Sequence, residues 1–266
     1  MTVSKYLYLS ILALTFFIYS CESNDSIVAI KTDTTKSAKS KVLVELFTNT
    51  SCVPCVATNN YIDGIMNHTG VTYNDDSVII IRVHSSVFNG DPFYLFNQPV
   101  NNARQQFYNA WISNPRTFLD GTLLGTTLNI PVFTAAINAR LLLSNNFNIS
   151  VNTTYDTSTR NVSLDMEVGQ ITGDTARSDI VLHAAVLENG LYYQGSNGET
   201  NFDNVMRDLA TGVNGQALTI SPGQLADIDN NFTLMTGINP ANVDIVVFVQ
   251  STTTKEVLGV TKKKLL

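Results

Sequence analysis

Val42-Leu43-Val44-Glu45-Leu46-Phe47-Thr48-Asn49-Thr50-Ser51-Cys52-Val53-Pro54-Cys55 is the stretch on which the fold turns. Its apolar run, 42–47, reads as a buried strand. The cysteines follow within a few residues, and Val56, Tyr61, Ile62, Ile65 and Met66 continue at helical spacing to about Asn67. Cys52 therefore falls where a strand hands over to a helix. Unpaired backbone N–H groups and the helix dipole stabilise a thiolate at such a position. Cys55 comes one turn later and can close a bond with it. Pro54 falls in the first turn, where a missing N–H costs nothing.

The chain has three cysteines, and Cys21 is accounted for by the N-terminus described below. A bridge between Cys52 and Cys55 closes a very small loop and constrains the unfolded chain little. Redox chemistry explains the pair better than stability does. A structural zinc site is the competing reading of C-x-x-C, but it needs four ligands. There is no second cysteine pair, and His68, His84 and His183 are scattered.

Further along, Val78-Ile79-Ile80-Ile81-Arg82-Val83 reads as a second buried strand, and a helix is expected from about Asn97 to Ala110. Asn114-Pro115-Arg116-Thr117-Phe118-Leu119-Asp120-Gly121 gives a proline-led strand and turn, with Leu123-Leu124 as its hairpin partner. Asn129 and Pro131 mark the start of a helix running to about Ser144. The order is β-α-β-α-β-β-α. After Asn145 the texture changes. Residues 149–155, 162–168, 180–186 and 243–249 alternate apolar and polar, as half-buried antiparallel strands do. Residues 146–266 are thus expected to form a β-sandwich, against the alternative of one large mixed domain.

Val42 to Cys55 together with Pro115 to Gly121 resembles the thioredoxin superfamily. The implied fold class is an α/β thioredoxin-like domain, 41–145, followed by an all-β immunoglobulin-like sandwich, 146–266. By that resemblance Cys52 and Cys55 are the redox pair, and Pro115 is the proline that faces them and holds the substrate backbone. Glu45 is the matching candidate for the buried acid that accepts a proton from the second thiol. It lies one residue further from the first cysteine than in thioredoxin itself, and a strand-end carboxylate in water is the other reading. Ser51 stands where the family has tryptophan and Val53 where it has glycine, so partner choice and potential do not carry over.

At the N-terminus Lys5 precedes an uncharged stretch, Tyr6 to Tyr19, that is shorter than the roughly 20 residues a bilayer span requires. It suits the apolar region of a secretory signal. Ile18-Tyr19-Ser20-Cys21 resembles the bacterial lipobox, which implies a signal peptide over 1–20 and lipidation at Cys21; an ordinary cleavable signal is the alternative. Residues 21–40 are expected to be a polar tether. Glu22 and Asp25 resemble a surface-export signal, or simply belong to that tether. Loss of residues 1–20 leaves 15 basic residues against 22 acidic, a net charge of −7, with no basic patch for nucleic acid.

The whole layout resembles the twenty-eight-kilodalton outer-membrane lipoprotein family of the Bacteroidetes, on residues 42–52 and the late segment Val246-Val247-Phe248-Val249-Gln250 with Glu256-Val257-Leu258. That implies an outer-membrane location, facing periplasm or cell surface. The expected function is lipid-anchored thiol–disulfide exchange on exported protein partners, without a diffusible cofactor. The alternative is a binding lipoprotein that uses a redox-inert thioredoxin-like scaffold. Weaker signals have plainer readings. Lys262-Lys263-Lys264 reads as a solvated strand end, and 227–231 as a turn rather than a calcium loop. Phe107, Tyr108 and Trp111 read as core or as a groove near Pro115. No acid is evident near His84-Ser85-Ser86 to build a hydrolytic triad.

Overall fold

The computed structural model describes residues 29–32, 38, 40–67, 73–125 and 130–266. Cys21, the signal segment, His68 and Asn129 lie outside the described residues. In chain order the elements are β1 (Ala29–Thr32), β2 (Val42–Thr48), α1 (Val53–Asn67), β3 (Val78–His84), α2 (Pro92–Phe96), α3 (Gln98–Tyr108), β4 (Arg116–Leu119), β5 (Thr122–Gly125) and α4 (Ile130–Leu141). There follow β6 (Phe147–Tyr155), β7 (Asn161–Gln170), β8 (Ile180–Glu188), β9 (Leu191–Tyr192), β10 (Asn201–Phe202), β11 (Val205–Leu209), β12 (Gln216–Ala217), β13 (Gln224–Thr233), β14 (Val243–Ser251) and β15 (Val257–Lys264). Among the described residues no helix is long and apolar enough to cross a membrane.

A nine-stranded sheet in the order β15-β14-β8-β11-β3-β2-β4-β5, with β12 also on β8, runs through the molecule. β2 and β3 are parallel, and β4 is antiparallel to β2. Both parallel strands are buried along their whole length, as covering on both faces requires, which is why each reads as an unbroken apolar run. Val42, Val44, Leu46, Val78 and Ile80 pack under α1 and α4 through Ile62, Phe133 and Ile137. Leu43, Phe47, Ile79, Ile81 and Val83 pack on the opposite face with Val100 and Tyr108 of α3.

The sheet does not stop at residue 145. β11 pairs with β3 at Val205 and Arg82, and β8 pairs with both β11 and β14. The strands expected to make a free-standing sandwich instead extend the N-terminal sheet. They do face a second sheet, of order β1-β13-β7-β6. Its Val162, Leu164, Met166, Val168 and Ile228 meet Leu182, Ala184, Val186, Ile245 and Val247. Ala185, Leu187, Val246 and Phe248 point the other way, into the layer under α3. β8 and β14 are thus buried on both faces rather than half-buried, because α3 and the second sheet sandwich them.

Three smaller expectations also change. Residues 29–32, read as tether, form β1 on β13, with Lys31 Nζ 2.6 Å from Asp227 Oδ2. Asp227–Asn231, read as a turn, lies within β13. Lys262 is not solvated: it is mostly buried between Asp75 (3.1 Å) and Asp244 (3.2 Å).

Candidate redox site

Three neighbouring strands of the large sheet, β3, β2 and β4, have their ends at one site. β2 ends at Thr48 and leads into the motif, β3 ends beside it at His84, and antiparallel β4 begins at Arg116 after Pro115. Asn49 organises the approach. Its Oδ1 accepts from Ser51 N (2.8 Å), and its Nδ2 donates to the Ser85 and Phe88 carbonyls (2.8 and 3.0 Å). Asn114 Nδ2 donates to Ser85 Oγ, and the Asn114–Pro115 peptide is cis. Pro115 is thereby tied to the segment that carries the cysteines.

Cys52 and Cys55 are bonded to each other at the start of α1. Both are fully buried, at 0% exposure. Cys55, Asn59 and Ile62 form the stripe of α1 that faces the sheet, as positions one helical turn apart must. Under Asn59 lies Arg82, whose Nε donates to Asn59 Oδ1 (3.2 Å) and whose Nη2 pairs with Asp63 (2.6 Å).

Glu45 is not in this group. Its position is odd relative to Val44 and Leu46, so it points away from α1 into the layer under α3. There Arg104 Nη2 and Nε donate to its Oε1 at 2.6 and 3.1 Å, and Tyr108 Oη donates to its Oε2 at 2.5 Å. Gln250 closes the network, accepting from Arg104 Nη1 and donating to Tyr108 Oη. Burial pushes the Tyr108 phenol well up, and the Glu45 charge adds to this, so it stays a proton donor. The expected proton-relay role of Glu45 is corrected accordingly. A single step along a strand reverses the face, which is why Glu45 points away from α1 while Val44 and Leu46 face it.

The acid missed beside His84 is Asp91. His84 Nδ1 and Asp91 Oδ2 are 2.7 Å apart and both side chains are fully buried. Asp91 also accepts from Thr50 N (2.9 Å) and caps α2 through Phe93 N and Tyr94 N (2.9 and 3.2 Å). Burial works against its charge, but His84 and these backbone donors more than offset that and hold the carboxyl below its usual value. The Asp91-Pro92 pair is a helix-start signature that could have located it. His84 shares the sheet face of Arg82, the face α1 covers, and its Nε2 makes no hydrogen bond. Phe93 and Phe202 surround the ring. Among the described residues no nucleophile completes a hydrolytic triad with this pair. Of the three aromatics, Tyr108 is core, Phe107 packs against it, and Trp111 is partly exposed.

The family model of the outer membrane protein Omp28 matches residues 122–266, more than half of the chain. The chain belongs to the Omp28 family. This Omp28-family protein is accordingly an outer-membrane protein. The matched region runs from β5 to the C-terminus and leaves out Cys52 and Cys55. Among solved structures, HBP35 of Porphyromonas gingivalis is similar over 86% of this chain and 76% of its own, with 17% identity and a TM-score of 0.73. Protein AGR_C_4864 from Agrobacterium tumefaciens is similar over 87% of this chain and 96% of its own, with 15% identity and a TM-score of 0.50. At such identities these likenesses concern the fold alone. A domain of the outer membrane lipoprotein Omp28 from Porphyromonas gingivalis aligns over 46% of this chain and 88% of its own, at 20% identity and a TM-score of 0.35. No curated protein sequence matches the chain.

Proposed function

We propose that this Omp28-family protein is a lipid-anchored thiol–disulfide oxidoreductase acting on exported proteins, with Cys21 as anchor and a thioredoxin-like unit as its redox module. The observation that carries this reading is the Cys52–Cys55 bond at the start of α1, where β2 ends. A loop so small contributes little to stability. A helix N-terminus is where a thiolate is stabilised. In the oxidised protein a partner thiolate attacks Cys52 Sγ and Cys55 leaves as thiolate. The partner's second thiolate then attacks the mixed disulfide and releases Cys52. Two electrons pass from partner to protein, and the reduced protein runs the same steps backwards on a partner disulfide. Pro115, which precedes β4 where that strand pairs with the end of β2, aligns the partner chain. No diffusible cofactor enters the scheme.

The test is reduction of insulin disulfides by the purified, reduced protein. Wild type is expected to exceed the rate of dithiothreitol alone at least tenfold, and Cys52→Ser to abolish the gain. Equal rates for both would refute the reading. One observation favours a second reading: both sulfurs are fully buried. In that case the bond stays closed and the protein is a binding lipoprotein on a redox-inert scaffold.

A further inference from the structure

The cysteine motif meets a segment from far along the chain. The loop between β9 and β10, residues 193–200, lies against residues 49–52 through a dense polar contact. Asn197 N donates to the Thr50 carbonyl at 3.2 Å. Asn197 Nδ2 donates to the carbonyls of Cys52 (3.2 Å) and Asn49 (3.4 Å), and to Glu199 Oε2 (2.5 Å). Ser196 Oγ bonds Ser51 Oγ at 2.8 Å. Glu199 Oε1 accepts from Asn59 Nδ2 at 2.7 Å, which fixes the loop to α1 one turn beyond Cys55. Gly195 makes the approach possible: a Cβ there would stand 2.8 Å from the Thr50 carbonyl oxygen and 2.7 Å from Asn197 Oδ1.

The Thr50 carbonyl thus takes a main-chain N–H from the loop, while the carbonyls of Asn49 and Cys52, which already accept from Cys52 N and Cys55 N, each gain a second donor from the Asn197 side chain. An extended peptide approaching Cys52 would offer the same groups. We propose that the 193–200 loop is a displaceable cap that occupies the partner-binding face of the redox pair, and that Asn197 is the residue setting which partners reach it. The occupant that replaces it is an extended polypeptide segment beside a thiol or disulfide, with free backbone N–H donors. Such a segment exchanges hydrogen bonds with the cap at little net change in free energy. A partner without them meets a closed site. This inference rests on the exchange reading above for its partner, but the cap itself is tested separately.

The experiment follows reduction of the Cys52–Cys55 disulfide in the full chain by dithiothreitol. Each turnover yields cyclic oxidised dithiothreitol and two protein thiols, quenched by alkylation and counted by mass. Asn197→Ala, which removes the side-chain donor, and Gly195→Ala, which wedges the loop outward, are expected to speed reduction about tenfold or more. Urea midpoints and the far-ultraviolet spectrum are expected to stay close to wild type. Reduction of the wild type is expected to be nearly independent of sub-denaturing urea, because opening the loop exposes little surface. Should Asn197→Ala fail to fold, Gly195→Ala and Ser196→Ala carry the comparison. Rates within twofold of wild type in the folded variants, or a rate that tracks global unfolding in urea, would overturn the cap. Faster reduction with no action on protein disulfides in any variant would leave the cap standing and remove the oxidoreductase reading. Insulin reduction with no acceleration would do the reverse.

Discussion

Glu45 and Arg104 form a buried ion pair, 2.6 Å apart, on the side of the central sheet opposite the helix that carries Cys52 and Cys55. The pair ties β2 to α3 and, through Gln250, to β14. It is a structural clasp between chain regions far apart in sequence. Removing one partner of a buried pair leaves an uncompensated charge and costs about 3 kcal/mol or more. Glu45→Gln is expected to lower the urea midpoint accordingly while changing the rate of Cys52–Cys55 exchange less than twofold. A large, selective loss of exchange with unaltered stability would restore Glu45 as a proton relay.

Gly121 sits at φ +85°, and a Cβ on it would stand 1.8 Å from the Lys255 carbonyl oxygen. Val257 N donates to the Asp120 carbonyl at the same junction, so the β4–β5 turn is docked on the β14–β15 turn. Gly121→Ala meets both a disfavoured backbone conformation and a main-chain clash, and is expected to destabilise by about 3 kcal/mol or more. Calorimetry reads this directly; an unchanged melting temperature would contradict the docking.

Asp120 accepts from Leu43 N at 2.7 Å and from Arg140 Nε at 2.8 Å. Burial nonetheless raises its carboxyl from 3.8 to about 6. A group with a raised folded pKa holds its proton more tightly in the native state, so stability is greater at pH 4 and falls as the pH rises through about 6. The loss is on the order of 3 kcal/mol. Asp120→Asn keeps the shape and tolerates the residue's φ of +42°. Urea midpoints measured between pH 4 and 7.5 are expected to be flatter in this variant than in wild type. An identical pH profile for the two proteins would show that Asp120 does not titrate in this window.

One sheet holds β2–β5 together with β8, β11, β12, β14 and β15, so the two halves of the chain are expected to unfold as a single cooperative unit. Thermal unfolding is expected to show one transition, and a fragment of residues 41–145 to remain unfolded by circular dichroism. Without residues 180–264, β3 would lose its β11 neighbour, and the layer under α3 would lose Ala185, Leu187, Met206, Val246 and Phe248. Two separable transitions, or a folded fragment, would contradict this.

The local features were legible because their causes are local. The apolar runs at 42–47 and 78–83, the proline at 115 and the helix starting near Pro131 are each written in neighbouring residues. What the sequence hid depends on pairing over long separations. Alternation along 180–186 suggested a solvent face, yet His183, Ala185 and Leu187 are buried, because α3 covers the side that a sandwich would leave wet. Glu45 could be placed on a strand but not on a face, since its aim depends on a single residue of spacing. Asn197 and Glu199 carry no local signal at all: they are polar loop residues until the fold brings them onto residues 49–59.

The proposed disulfide exchange between Cys52 and exported partners passes through a mixed disulfide that can be captured. Trapping in the native cell envelope tests it most directly: Cys55→Ser removes the resolving thiol, so covalent intermediates through Cys52 persist. Dithiothreitol-sensitive adducts with other proteins are expected in the single variant and are expected to disappear in the Cys52→Ser/Cys55→Ser double variant. An adduct pattern identical in the single and double variants would contradict the exchange.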